Sequence, residues 1–232
     1  SDVDEVFSIS PAHPTKSRDI LFLFRVENVK LYPIHVLNIS VYPPPPKCFV
    51  FKFLNESFTL DPGGSVDVWC ELKYLDYGWW RISKVIIKYQ FLGSVHVDEF
   101  KVRIFFICRP PSGEFFERRD GVFQGLSVSP EILSVREGDV FNVTLNLEVL
   151  EDNVEIIDID VPAQNIIFKG YGHPSKLELK KGDTLPIILL FNASSAGFET
   201  IYQIKITYYQ NKNIYVTYLN LTPPVKVEII TD

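Results

Sequence analysis

Methionine is absent from the 232 residues, and most features from which a function is usually read are absent with it. The opening Ser1-Asp2-Val3-Asp4 has neither a basic stretch nor an apolar one, so the chain is expected to be a mature product or an excised piece of something longer. No run of about 18 apolar residues occurs, which excludes a membrane-spanning helix in this segment. The net charge is −6, and without a basic field there is no electrostatic basis for nucleic-acid binding. Helical periodicity is nearly missing. The four histidines, His13, His35, His96 and His173, form no i,i+4 pair and have no Cys or carboxylate at ligand spacing, so no metal site is expected. There is no GxSxG, no phosphate-cradling glycine loop, no HExxH and no calcium-loop cluster of carboxylates. Asp158 with Asp160, and Asp98 with Glu99, lie in or beside strands without defining an acid/base pair. The chain reads as a non-enzyme with no cofactor.

Cysteine is scarce, with three residues, Cys48, Cys70 and Cys108, all in the first half. An odd count leaves at least one thiol unpaired within the chain. The candidate bridges are Cys48–Cys70 and Cys70–Cys108, and closing either loop adds roughly 3 kcal/mol. The competing reading makes Cys70, in register with Val66, Val68 and Leu72, a core thiol.

What the chain does have is alternation. Ile20, Phe22, Phe24 and Val26, then Leu37, Ile39 and Val41, then Val66, Val68, Cys70 and Leu72 recur at period two, the mark of half-buried strands. Strands are predicted near 5–10, 19–28, 34–42, 48–54, 57–60, 65–73, 82–91 and 95–107. A second series is predicted near 125–129, 139–149, 154–161, 164–168, 175–179, 184–192, 200–210, 213–222 and 225–230. The second series is a copy of the first. Phe58-Thr59-Leu60-Asp61-Pro62-Gly63-Gly64-Ser65 returns as Leu177-Glu178-Leu179-Lys180-Lys181-Gly182-Asp183-Thr184, an interval of 119 (182 − 63). Ser8-Ile9-Ser10-Pro11 returns as Ser127-Val128-Ser129-Pro130. Seven or eight strands in about 100 residues imply an antiparallel sandwich of immunoglobulin-like architecture. The expected organisation is all-β: a first sandwich over 1–108, a linker over 109–124 and a second sandwich over 125–232.

Within the linker, Phe115-Phe116 is expected to pack in the cleft between the sandwiches. Pro43-Pro44-Pro45-Pro46 cannot join a ladder and should stand out as a stiff loop. The densest aromatic patch is Tyr74-Leu75-Asp76-Tyr77-Gly78-Trp79-Trp80. Gly78 and Trp79 align with Gly197 and Phe198, so Trp79 is expected to be a buried structural plug. Trp80 aligns with Glu199, and with Tyr74 and Tyr77 it forms the candidate ligand-facing set for a sugar. The last run, Val225 to Ile230, is not needed to close its own sandwich if 213–222 is the final strand. It is expected to fold back on its own domain rather than bridge to a neighbour.

Sequons are in excess. With 11 Asn and 25 Ser plus Thr in 232 residues, about one N-x-S/T is expected at random, and five occur. Their acceptors are Asn38, Asn55, Asn142, Asn192 and Asn220. Alternation turns Asn38, Asn142 and Asn220 outward, while Asn55 and Asn192 fall at strand ends. All five meet the exposure that a glycan requires.

The Ser-x-Ser-Pro opening, the Gly138-Asp139-Val140 strand start and the Leu-x-Pro-Gly-Gly and Leu-x-x-Gly-Asp turns are similar to the immunoglobulin-like repeats of archaeal surface-layer and cell-adhesion proteins. The first copy departs at Arg18-Asp19-Ile20, where the glycine is replaced. The resemblance implies an extracellular scaffolding or adhesive segment. Its partners would be cell-surface proteins, neighbouring modules of the same protein, or glycans. Two alternatives from other classes are an intracellular arrestin-like scaffold of two sandwiches and a pair of carbohydrate-binding modules. N-glycans separate the first alternative from the surface reading.

Overall fold

A computed structural model describes residues 3–5, 19–173 and 178–231. Most of the strand expected over 5–10, the Ser8–Pro11 motif, His13 and Leu177 lie outside the described residues. The chain divides into two units, Ser1–Phe115 and Phe116–Asp232.

The first unit contains β1 (Val3–Glu5), β2 (Asp19–Glu27), β3 (Ile34–Tyr42), β4 (Phe49–Phe53), β5 (Phe58–Leu60), β6 (Ser65–Tyr74), β7 (Gly78–Phe91) and β8 (Ser94–Cys108). One sheet runs β1-β2-β6-β4 and the other β5-β3-β7-β8. Period-two alternation gives each sheet one apolar face. These faces meet in a single core that joins Phe22, Phe24, Val68 and Leu72 of the first sheet to Val36, Ile82, Val85 and Ile104 of the second. Phe22 and Phe106 span the layers with ring centres 5.1 Å apart.

The second unit contains β9 (Glu117–Arg118), β10 (Phe123–Ser129), β11 (Ile132–Arg136), β12 (Val140–Val149), β13 (Glu155–Asp160), β14 (Ile166–Gly172), β15 (Thr184–Ala193), β16 (Gly197–Gln210) and β17 (Asn213–Ile230). Its sheets run β10-β12-β15-β14 and β11-β17-β16-β13, with β9 also pairing β17. Both β11 and β9 run parallel to β17. No helix occurs among the described residues, and the fold is an all-β, immunoglobulin-like sandwich in each unit.

The 119-residue interval is visible in the strands themselves. β6 and β15 start and end 119 apart (184 − 65, 193 − 74), and so do β7 and β16 (197 − 78, 210 − 91). Even an irregularity repeats. The β7–β8 register shifts between Ile82 and Lys84, and the β16–β17 register between Ile201 and Gln203. On one side of that bulge Lys84 pairs with Lys101 and Gln203 with Asn220, so both partners keep the interval (220 − 101 = 119). On the other side Ile82 pairs with Ile104, but Ile201 pairs with Val225. The last strand therefore carries two residues more than its counterpart (225 − 104 − 119 = 2). The excess falls at Pro223-Pro224, where a bulge tolerates residues without a ladder donor. The run from Val225 is thus the second half of the final strand and not a supernumerary one. It folds back between β16 and β11, with Val225, Val227 and Ile229 buried.

The glycine turn is the fastening point of each sandwich. Gly63 and Gly182 both sit at positive φ, 73° and 89°, which only glycine adopts without strain. The amide of Gly63 donates to the Asn28 carbonyl (2.9 Å) and that of Asn28 to the Gly64 carbonyl (2.9 Å). In the second unit Gly182 donates to Val149 and Val149 to Asp183, both at 2.8 Å. The first unit adds a side chain to this bracket. Asn28 is buried, and its carboxamide donates to the carbonyls of Tyr32 (2.9 Å) and Leu60 (3.0 Å) while accepting from the Lys30 amide (3.0 Å). Asn28→Ala strands these groups, and we expect it to lower the stability of the first unit by about 2–3 kcal/mol in denaturant unfolding. An unchanged midpoint would assign the bracket to the backbone alone.

Residues 116–124, expected as the second half of a linker, are integral to the second unit. Phe116, Val122 and Phe123 are buried, and Phe115 is exposed. Arg119 donates to Glu151 (2.6 Å) and to Gln210, and its carbonyl accepts from the Tyr208 hydroxyl (2.6 Å). Burial pushes that hydroxyl up to about 12. The Thr217 hydroxyl (2.7 Å), followed by Arg118, holds the Asp120 carboxyl below the usual carboxylate range. The charged and polar groups of Arg119 and Asp120 anchor this stretch to Gln210 and Tyr208 of β16 and to Thr217 of β17.

Candidate glycan-bearing surface

Each sequon asparagine takes its position from strand alternation. Asn142 stands between buried Phe141 and Val143, and Asn192 between buried Phe191 and Ala193. Asn38 precedes buried Ile39 at the bulge of β3 against β7, and Asn220 precedes buried Leu221. Asn55 follows β4 in the loop to β5. Asn38, Asn55, Asn142 and Asn220 are exposed and Asn192 is half-buried. Asn220 accepts a hydrogen bond from Gln203 Nε2 at 3.0 Å. Among the sequon hydroxyls, those of Ser57, Ser194 and Thr222 are on exposed residues and those of Ser40 and Thr144 on half-buried ones.

The candidate ligand-facing aromatics are not presented together. Tyr74 is fully buried, Trp80 is 2% exposed, and only Tyr77 is half-buried. This reverses the expected order of the tryptophans, because Trp79 is half-buried. The cause is parity. β7 begins at Gly78, so Trp80 shares the inward face with Ile82 and Trp79 points away. Trp80 packs against Phe51 (5.2 Å), Phe106 (5.9 Å) and Phe49 (6.3 Å), and its Nε1 donates to the Pro43 carbonyl at 3.0 Å. The proline loop thus anchors a core side chain. Nor is the aromatic after the glycine a plug in both copies, since Phe198 is 79% exposed.

None of the three cysteines is in a disulfide, a correction to the two candidate bridges. The Cys48 carbonyl accepts from the Leu75 amide at 2.8 Å. Leu75 is five residues beyond Cys70 (75 − 70), about 16 Å along an extended strand and beyond the reach of a disulfide. Cys108 pairs with Gly78 at that same end, in the opposite sheet. Cys70 is a buried core thiol whose ionisation burial suppresses. A Cβ at position 78 would come within 2.6 Å of Cys48 Sγ, so a larger residue there must displace that thiol.

Other polar groups are held in structural pairs. His35 Nδ1 lies 2.8 Å from Thr59 Oγ1, His96 stacks on Tyr89 (5.5 Å), and His173 stacks on Tyr171 (5.9 Å). The Tyr89 hydroxyl donates to Asp98 at 3.0 Å, and burial together with that carboxylate raises its pKa. Beside them a cavity of about 20 Å³ is lined by Val26, Asn28, Ile34, Ile87 and Phe100, room for about one water. Among the described residues no three His, Cys, Asp or Glu side chains are grouped to hold a metal ion, and no helix is long and apolar enough to cross a membrane.

No family model matches this chain, and no curated protein does. Solved structures of similar architecture include a protein of unknown function from Porphyromonas gingivalis W83. It is 10% identical, with 95% of this chain and 99% of that one covered at a TM-score of 0.38. PapD-like domain 7 of human CEP192 is 11% identical over 48% of this chain and 86% of its own, at 0.39. Domains 5-6 of the S-layer protein SbsC are 14% identical over 99% and 96%, at 0.24. Likeness at this level carries no argument about function.

Proposed function

We propose that this chain is a glycosylated, non-catalytic structural or adhesive segment of a cell surface. One observation carries the reading: five sequons stand where chance supplies about one, four of the five asparagines are exposed and the fifth is half-buried. The rest of the molecule is consistent with that role. Four of its shifted titratable groups, Tyr89, Arg119, Asp120 and Tyr208, are engaged in hydrogen bonds that hold loops and strands together. Peptide mass analysis of the protein from its native source, before and after N-glycan release, tests the reading. Sugar on the peptides that carry Asn38, Asn55, Asn142, Asn192 and Asn220 is expected. Unmodified asparagine in all five peptides overturns it and favours an intracellular scaffold of two sandwiches.

A further inference from the structure

Two of the sequons share one sheet of the second unit. On the outer face of the sheet β10-β12-β15-β14, three successive cross-strand rows are Val140–Asn192–Ile167, Asn142–Leu190–Gly170 and Thr144–Ile188–Gly172. No residue in these rows is charged. Val140 (61%), Ile167, Ile188 and Leu190 are exposed. Gly170 and Gly172 place no side chain beside Leu190 and Ile188, and a Cβ at either glycine would meet nothing within 4 Å. The result is a shallow apolar trough floored by two aliphatic side chains and open along β14.

The corresponding face of the first unit is built differently. By the 119-residue interval Glu71 stands in place of Leu190 and Trp69 in place of Ile188. Opposite Glu71 are Leu21 and Lys52. Lys52 and Glu71 pair at 3.7 Å, and Arg25 and Asp67 at 3.2 Å. Charge interrupts the apolar surface there, and β2, β4 and β6 contain no sequon. Where the first unit has ion pairs, the second has two sugar acceptors. Residues directly opposite on a sheet have Cβ atoms about 4.5–5.5 Å apart. A sugar on Asn142 therefore starts beside Leu190. One on Asn192 starts beside Val140 and Ile167, two residues along the strand from Leu190.

We infer that the N-glycans of Asn142 and Asn192 lie across this trough and shield it from water, so that sugar and not a protein partner covers the second unit's apolar face. The inference rests on the glycosylation reading above. An uncovered apolar patch on a secreted chain favours self-association, and the two acceptors placed on the patch supply the cover locally.

The test compares the full glycosylated chain with Asn142→Gln/Asn192→Gln and, as a control that removes the same number of sugars, Asn38→Gln/Asn220→Gln. Sequon occupancy is read by peptide mass, apolar exposure by bis-ANS fluorescence, and association by light scattering. The first pair is expected to raise dye fluorescence several-fold and to promote self-association, with the control pair near the parent. A second route to the same loss, Thr144→Ala/Ser194→Ala, keeps both asparagines and should behave like the first pair. Occupied Asn142 and Asn192 with unchanged dye binding after their removal would overturn the shield and leave the glycosylation reading standing. Strong dye binding by the glycosylated parent would also overturn it, pointing to an open docking face. Sugar at other sequons but not at these two sinks the shield alone, while a bare chain sinks both.

Discussion

Truncation after Pro224 is expected to unfold the second unit and leave the first intact. The missing segment is the second half of β17. It is flanked by β16 on one side and β11 on the other, over Val225–Ile229 and Lys226–Ile230 respectively. Val225, Val227 and Ile229 are each almost wholly buried, and such side chains contribute about 1.5–3 kcal/mol apiece. Their loss alone is roughly 5–9 kcal/mol, comparable to the 5–15 kcal/mol that holds a whole domain together. Among the described residues β11 pairs only with β17, so that strand would be released as well. All three tryptophans, Trp69, Trp79 and Trp80, lie in the first unit. Their native fluorescence should persist while proteolysis degrades the chain beyond Phe116. A truncated protein with both units protease-resistant would show that the final run is dispensable.

Trp80→Ala is expected to destabilise the first unit by about 3–5 kcal/mol, the cost typical of removing a buried large aromatic. Its ring contacts reach Phe49 and Phe51 in one sheet and Phe106 in the other, so the cavity would open between the layers. The Pro43 carbonyl would lose its donor in addition. With a urea dependence of about 1–3 kcal/mol/M, the midpoint should fall by about 2 M, followed through the two remaining tryptophans. Trp80→Phe keeps most of the packing and should cost about 1–1.5 kcal/mol more than the lost methylene area explains, the worth of the indole hydrogen bond. A Trp80→Ala midpoint near the parent's would mean that the side chain is not part of the core.

The strands were legible because the sheets are half-buried and punctuated. Ser65–Tyr74 and Thr184–Ala193 alternate cleanly and each follows a glycine turn. The 119-residue interval then placed Gly63 and Gly182 at the same turn. Two features were missed for opposite reasons. Ile132–Arg136 is short, and its partner lies 94 residues away (226 − 132) in a parallel pairing, so nothing local marks it. Trp80 lies inside although its alignment with Glu199 points outward, because parity with Ile82 decides which side of the strand it occupies. Pro223-Pro224 looked like a boundary because proline cannot donate to a ladder. The strand continues because the bulge takes up the two extra residues. As to the surface, the sequence located every acceptor asparagine. It could not show that Asn142 and Asn192 share one face with Leu190 and Ile188, which is a property of the β12–β15–β14 register.

The direction in which β11 and β9 meet β17 has a mechanical consequence. Both run parallel to it, and they lie at the entry to the second unit while β17 lies at its exit. A pull applied between the two ends of that unit therefore slides these strands past each other along their length. The hydrogen bonds between Ile132–Arg136 and Lys226–Ile230 are loaded together, in shear, and must fail as a group. An antiparallel pairing at the same place would open like a zipper, one bond at a time. A segment that bears tension at a surface gains from the first arrangement, and single-molecule stretching would register it as a high rupture force for the second unit.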